Sequence, residues 1–159
     1  MPNRSRRLGA LVAAFAVAIA VAVPAWADHK PASSIPAQAL VEPADVAASL
    51  AVPNQPKPLM LQVGCRKAYV QAHIPGSEYV GAASDDEGLT ALRQRVAKLP
   101  KDSAILIYCG CCPWKKCPNI AAAYDALQAL GFTHVKVMHI AEDFGTDWAD
   151  KGFPTAKDI

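Results

Sequence analysis

The chain has 159 residues, of which 52% are hydrophobic and 19% are charged, with 16 basic and 14 acidic side chains. Three basic residues and no acidic ones fall in the first 27 residues, so the remainder carries 13 basic against 14 acidic groups. This balance gives no reason to expect a nucleic acid partner. The length suits one domain with a proper core and excludes two.

Residues 1–27 have the pattern of a cleaved signal peptide. Arginines at positions 4, 6 and 7 precede an apolar run at 8–23, and the sequence AWA at 25–27 supplies the small residues of a cleavage site. The run is shorter than the roughly 20 residues that a spanning helix needs, which argues against an uncleaved anchor. The arginine pair resembles a twin-arginine signal, but the residues after it fit that pattern poorly, which favours the general secretory (Sec) route. We therefore expect a periplasmic protein that meets the membrane only through this peptide during export.

Residues 28–38, rich in proline and serine, are interpreted as a tether, and residues 39–159 as one domain. Apolar runs that alternate with helical patterns predict an α/β fold with a parallel sheet covered on both faces. In chain order, the patterns predict a strand at 39–41, a helix at 43–51, strands at 58–63 and 78–81, a helix to residue 99 after a capping box at 84–87, a strand at 103–108, a helix from 118 or 119 to Gly131, and a strand at 134–140.

The cysteines are clustered. Four of the five lie within nine residues, as Cys109, Cys111, Cys112 and Cys117, and the fifth is Cys65. An odd number leaves at least one thiol free, modified, metal-bound or linked to another molecule. Because structural disulfides of a small exported domain are spread along the chain, the cluster indicates a functional site.

Cys109 follows the clearest strand and precedes a helix, and ligands of open α/β sheets bind in the crevice beyond the strand ends. Loop amides and the helix dipole favour an anion at such a position. The same field, with Lys115 and Lys116 nearby, is expected to lower the pKa of a thiol. The hypothesis is a Cys109 nucleophile that faces an anionic substrate. The chain has no glycine pattern for nucleotide binding, and no organic cofactor is expected.

Several stretches resemble the rhodanese domain, in the right order, over about residues 39–156. They are PLMLQVGCR, HIPG at 73–76, Tyr108-Cys109, Gly131-Phe132 and Trp148 with Gly152-Phe153-Pro154. The resemblance implies a rhodanese-like five-stranded parallel sheet with helices on both faces. It also implies a sulfurtransferase in which Cys109 carries a persulfide from a small anionic donor, such as thiosulfate, to a thiol or protein acceptor. The implied substrate-binding loop consists of Gly110, Cys111, Cys112, Trp114, Lys115 and Lys116.

The chain also departs from this family. The loop from Cys109 to the next helix is about five residues longer than usual, and Gln62 replaces the usual aspartate. Cys112, Cys117 and Cys65 are candidate resolving thiols, since Cys65 ends a strand at the same edge of the sheet as Cys109. Trp114 is interpreted either as a cover over the site or as a docking surface.

Other chemistry fits the same cysteines. Cys109 and Cys112 form a C-x-x-C pair of the kind used in thiol-disulfide redox work. The four clustered thiolates offer soft ligands for zinc or cuprous copper, although the preferred interpretation assigns no metal ligand. The spacing of Cys109 and Lys115 parallels a phosphatase loop, but lysine lacks the bidentate fork of arginine. A catalytically silent domain with cysteines paired as disulfides is the remaining alternative.

Overall fold

The computed structural model describes residues 31–158, and its centre is a parallel sheet of five strands. The strands are β1 (Leu40–Val41), β2 (Leu59–Gln62), β3 (Glu78–Tyr79), β4 (Ile105–Tyr108) and β5 (Val135–Met138), and the helices are α1 (Pro43–Ala51), α2 (Arg66–Gln71), α3 (Asp86–Val96) and α4 (Pro118–Ala129). The strand order is β1-β5-β4-β2-β3, and every neighbouring pair is parallel. The predicted α/β class and five-stranded parallel sheet are therefore confirmed.

Two apolar cores lie on the two faces of the sheet. Residues of α3 and α4 pack in one core, and residues of α1 pack in the other together with Phe144 and Trp148. All four residues of β4 are buried, as expected for a central strand covered on both faces. Since successive side chains of a strand point to opposite faces, Ile105 and Ile107 enter the α3/α4 core.

Most predicted elements occur, with differences at their ends. Helix α3 is capped by Asp85, whose carboxylate accepts the Gly88 N–H at 2.8 Å, and not by Ser84 as the capping box predicted. The backbone N–H of Ser84 instead donates to Asn119 Oδ1 at 2.9 Å. Gly131 has a φ of +84°, as expected for the residue after a helix end. Helix α2 was missed because its six residues are too few to show helical periodicity.

The segment predicted as a tether belongs to the folded domain where the structure describes it. Residues 31–38 contain a short helical turn at Ala32–Ser34, and Ala32 and Ile35 are only 1% and 6% exposed within the α3/α4 core. This is a correction to the predicted domain boundary at residue 39. Its cause is the burial of Ile35, an apolar side chain within a stretch whose prolines and serines indicate a tether.

The predicted signal peptide at 1–27 lies outside the described residues, as do residues 28–30. Between residues 31 and 158, no helix is both long and apolar enough to cross a membrane.

Candidate functional site

Cys109 lies one residue beyond β4, at the carboxyl edge of the sheet. The alternation along β4 turns its side chain toward the α3/α4 core, where Cys109 and Cys117 are both only 5% exposed. The preceding Tyr108 points the other way, and its hydroxyl lies 2.7 Å from Ser77 Oγ and accepts the Ile74 N–H at 3.2 Å. These contacts fix the end of β4, and with it the position of the Cys109 sulfur.

The loop that follows β4 brings its thiols together around Cys109. The Cys109 sulfur lies 3.5 Å from the Cys111 sulfur and 3.9 Å from the Cys112 sulfur. The sulfurs of Cys109, Cys112 and Cys117 all lie within 4.8 Å of one another. All five cysteines of the chain are free thiols, and Cys111 and Cys112 are partly exposed. The four thiols of the loop therefore form one contiguous group, in which Cys109 and Cys117 are buried and Cys111 and Cys112 are partly exposed.

Cys65 reaches the same group from a different strand. It follows β2, and its backbone N–H donates to the Cys111 sulfur at 3.2 Å. The Cys65 side chain is exposed, and partial burial, with the neighbouring Cys111 thiol, raises the pKa of its thiol. Cys65 lies beside the site because β2 and β4 are neighbouring parallel strands that end at the same edge of the sheet, and its role as a resolving thiol stays a prediction.

Hydrogen bonding within the group distributes protons unequally. Hydrogen bonds with Cys111, then with Cys112 and Cys117, together with burial, raise the pKa of the Cys109 thiol. The hydrogen bonds that Cys111 receives from Cys109 and Cys112 lower its pKa. The expectation of a lowered pKa at Cys109 is therefore wrong. The physical reason is that the Cys109 sulfur is buried among thiols with which it shares hydrogen bonds, so that charging it is costly.

The start of α4 acts on Cys117, which occupies the N-cap position. Hydrogen bonds from Cys109 and Cys112, followed by backbone N–H groups of Ile120 and Asn119, lower the pKa of Cys117. The long loop separates Cys109 from the helix start by nine residues of sequence. The helix dipole thus favours an anion at Cys117, whereas the sequence pattern predicted this effect at Cys109.

Asn119 is a site residue that the sequence analysis treated only as a possible helix start. It is 5% exposed, and its Nδ2 donates to the Cys109 sulfur at 3.7 Å while Oδ1 accepts the Ser84 N–H. The site therefore has two N–H donors to sulfur, the backbone of Cys65 to Cys111 and the side-chain amide of Asn119 to Cys109. A polar residue at the first turn of a helix that follows the cysteine loop was the available signal.

Gly64 and Gln62 form the wall beside the thiols. A Cβ atom on Gly64 would lie 2.7 Å from the Cys109 sulfur and 3.0 Å from the Cys111 sulfur. Gln62 is buried, and its Oε1 accepts the Gly64 N–H at 3.2 Å, which holds this turn in place. The absence of a side chain at residue 64 is what allows the two sulfurs to approach the end of β2.

The remaining predicted loop residues lie at the rim. Trp114, Lys115 and Lys116 form one helical turn, with both lysines exposed and Trp114 partly buried. The Trp114 ring packs edge-on against His139 at 4.8 Å between centroids, and its backbone N–H donates to Ala141 at 2.9 Å. Trp114 therefore attaches the loop to the segment after β5, while the lysines place positive charge at the surface of the loop.

A cleft of about 440 Å³ opens beside Cys65 and Cys111. Gly110 and Phe144 form part of its wall in close contact, since a Cβ atom on Gly110 would lie 2.5 Å from Phe144 Cβ. The other lining residues are Lys67, Ala68, Gln71, Ala72, Asp143 and Gly145. A larger cavity of about 660 Å³ lies at the opposite edge of the sheet and contains no cysteine.

Two residues of the family-like stretches, His73 and Trp148, lie away from the thiols. His73 is buried, with its Nδ1 2.9 Å from the Tyr69 carbonyl oxygen and its ring stacked on that of Tyr69. Trp148 is fully buried, and its Nε1 donates to the Pro154 carbonyl at 2.8 Å. Both residues stabilise the domain on the face opposite the cysteine group.

The fold and site together define a parallel α/β domain with a cysteine-bearing loop at the carboxyl edge of its central strand. The family model for the rhodanese-like domain matches residues 50–140, and the chain belongs to this family. No curated protein matches the chain.

Solved structures agree on the fold. The rhodanese-like domain of the Alr3790 protein from Anabaena is 21% identical, with a TM-score of 0.56 over 76% of this chain and 80% of that chain. The BH2092 protein from Bacillus halodurans is 19% identical, with a TM-score of 0.55 over 74% and 75% of the two chains. A structure of EanB/C412S with hercynine is 21% identical, with a TM-score of 0.51, and matches 83% of this chain but only 28% of that longer chain.

Proposed function

We propose that this protein is a sulfurtransferase that takes sulfur from a small anionic donor as a persulfide on Cys109. The observation that carries the proposal is the position of the Cys109 sulfur at the carboxyl end of β4, 3.5 Å from a second thiol, in a rhodanese-like domain. The family membership supports sulfur transfer, and the thiol group supplies both a nucleophile and its proton acceptor.

The first step is a displacement on the donor. The Cys111 thiolate takes the proton of Cys109, and the Cys109 sulfur attacks the outer sulfur of thiosulfate. The bond between the two sulfurs of the donor breaks, and sulfite leaves with the electron pair, so that Cys109 holds the persulfide. Asn119 Nδ2 then lies where it can donate to the new anionic sulfur, and the exposed Lys115 and Lys116 favour approach of the anion.

The second step moves the sulfur outward, because Cys109 is too buried to meet a large acceptor. Cys111 first returns its proton to the outer sulfur of the Cys109 persulfide. The resulting Cys111 thiolate attacks that sulfur and releases the Cys109 thiolate. Cys65 repeats this exchange with Cys111 and passes the sulfur to an acceptor thiol in the 440 Å³ cleft. Each exchange forms one sulfur–sulfur bond and breaks one, so no oxidant is required.

The acceptor is a thiol on a small molecule or a protein, and the signal-like pattern of residues 1–27 supports the periplasm as the proposed location of the reaction. The cleft beside Cys65 is open to solvent on the side of α2, where an extended thiol-bearing segment has access to the exposed sulfur.

The test is intact-mass spectrometry of the reduced protein before and after thiosulfate, under anaerobic conditions. The wild type and the Cys65→Ser variant are expected to gain one sulfur atom, while Cys109→Ser gains none. Cys65→Ser is then expected to discharge to cyanide at the wild-type rate but to discharge to a protein thiol at least about tenfold more slowly. A sulfur adduct that persists in Cys109→Ser would overturn the assignment of the nucleophile.

A disulfide-forming branch is the second candidate, supported by the 3.9 Å separation of the Cys109 and Cys112 sulfurs. Attack of the Cys112 thiolate on the inner sulfur of the Cys109 persulfide forms a disulfide and releases hydrosulfide. A dithiol reductant is then needed to restore both thiols. In the same experiment this branch appears as a mass two hydrogens below the reduced protein, and Cys112→Ser abolishes it.

A further inference from the structure

Three of the thiols form a group that shares only Cys109 with the proposed path of the sulfur through Cys111 and Cys65. The sulfurs of Cys109, Cys112 and Cys117 lie within 4.8 Å of one another, whereas Cys111 hydrogen-bonds toward Cys65. In a planar site of three thiolates with metal–sulfur bonds of about 2.3 Å, the sulfurs are about 4 Å apart. The separation of 3.9 Å between Cys109 and Cys112 already has this value.

The ligand set selects the kind of ion. The group holds three sulfurs and contains no imidazole or carboxylate among the described residues. Soft thiolates favour cuprous copper, zinc and iron–sulfur clusters, and structural zinc takes four ligands in a tetrahedron. Cuprous copper is a closed-shell ion that accepts three thiolates in a plane, which matches the three mutually close sulfurs. Zinc would need Cys111 as its fourth ligand, and the Cys111 sulfur, although 3.5 Å from that of Cys109, is not part of the group whose sulfurs all lie within 4.8 Å of one another.

The surroundings suit a negatively charged complex. Cys109 and Cys117 are each 5% exposed, which excludes water from two of the three ligands. The buried amide of Asn119 donates to the Cys109 sulfur at 3.7 Å, and Cys117 occupies the N-cap position of α4, where the helix dipole favours negative charge. Cys112 is partly exposed and provides a route of entry from solvent.

We propose that Cys109, Cys112 and Cys117 bind one cuprous ion as a trigonal thiolate site. The site shares Cys109 with the proposed sulfur transfer, so a bound copper ion and a Cys109 persulfide exclude each other. The copper site does not depend on the proposed function, because three reduced thiols are sufficient for it.

The experiment is an anaerobic titration of the reduced protein with cuprous copper in competition with a chromophoric cuprous chelator, followed by native mass spectrometry. We expect one copper ion per wild-type chain, with affinity at least about 100-fold lower in Cys112→Ser. The matched control Cys65→Ser, a single thiol removed outside the group, is expected to retain the wild-type affinity. Cys112→Ser is the informative variant because its side chain is only partly buried, so the fold tolerates the change.

Three results would overturn the proposal. The first is a copper affinity of the wild type no higher than that of Cys112→Ser. The second is a loss of copper affinity in Cys65→Ser equal to that in Cys112→Ser. The third is a wild-type protein that binds zinc in preference to cuprous copper when both ions are offered. Copper binding without any sulfur adduct from thiosulfate would instead reject only the sulfurtransferase, so the two proposals fail separately.

Discussion

Asn119 donates its side-chain N–H to the Cys109 sulfur, while its carbonyl oxygen accepts the backbone N–H of Ser84. One buried amide thus links the cysteine loop to the turn before α3. Both ends of the amide are in use, which fixes its orientation and leaves the donor aimed at the sulfur. The geometry makes Asn119 a positioning residue for whatever anion forms on Cys109.

Replacing Asn119 tests that arrangement. Asn119→Asp keeps the acceptor for Ser84 but removes the donor and adds negative charge beside Cys109. We expect sulfur loading from thiosulfate to slow by about 10- to 100-fold, the equivalent of one hydrogen bond to a charged group of about 1.5–3 kcal/mol. The measurement is the rate of adduct formation by intact mass. Thermal unfolding serves as the control for folding, and an unchanged loading rate would show that the amide is only structural.

Gly64→Ala is expected to abolish sulfur loading while the domain stays folded. The added Cβ would lie 2.7 Å from the Cys109 sulfur and 3.0 Å from the Cys111 sulfur, so one or both thiols must move. The expected loss of stability is about 1–3 kcal/mol, typical of an overpacked site. Gly145→Ala, whose Cβ meets only an Asp143 carboxylate oxygen at 3.0 Å, is the matched control and should load sulfur normally. Normal loading by Gly64→Ala would contradict the packing of the group.

Cys111 is expected to react with a limiting amount of iodoacetamide before Cys65 at about pH 6, although Cys65 is the more exposed thiol. The pKa of Cys111 is lowered by hydrogen bonds from Cys109 and Cys112, whereas partial burial raises that of Cys65. As the pH rises toward about 9, the rate at Cys65 should increase and that at Cys111 should change little. Peptide mapping of the alkylated protein gives both rates. Faster reaction of Cys65 at low pH would contradict the proposed distribution of protons.

Tyr108→Phe is expected to lower the free energy of unfolding by about 1–3 kcal/mol at neutral pH, since the Ile74 N–H and the Ser77 hydroxyl lose a buried partner. Burial raises the pKa of Tyr108 to about 12. The unfolded state releases this proton at about pH 10 and the folded state near pH 12, so the stability contribution of Tyr108 is complete below pH 10 and is lost between these values. Urea unfolding of both proteins should therefore show a smaller alkaline decrease for Tyr108→Phe.

Ile35→Ala tests whether residues 31–38 belong to the domain. Ile35 is 6% exposed in the α3/α4 core, so its truncation is expected to cost about 2–5 kcal/mol. The turn at Ala32–Ser34 contacts the Trp114–Lys116 turn, so sulfur loading should also become slower. Gln38→Ala removes an exposed side chain and should change stability by less than about 0.5 kcal/mol. Equal stability of Ile35→Ala and wild type would restore the interpretation as a tether.

The sequence by itself determined the fold class, most of the elements and the importance of the cysteine cluster. Apolar strands such as β4 and helices such as α4 are encoded by local periodicity, and local periodicity can be read without coordinates. The sequence also made Cys65 a candidate for the site, because parallel strands end at the same edge of the sheet, but only the tertiary structure placed it against Cys111.

Only the tertiary structure decided how the thiols divide. Cys111 lies between Cys109 and Cys65, while Cys112 and Cys117 group with Cys109. This arrangement depends on the path of a long loop with no periodic pattern. The proton distribution also required coordinates, since burial and hydrogen bonds outweigh the helix dipole that the sequence suggested for Cys109. Asn119 and Ile35 were missed for the same reason: each acts through contacts between segments that are distant in sequence.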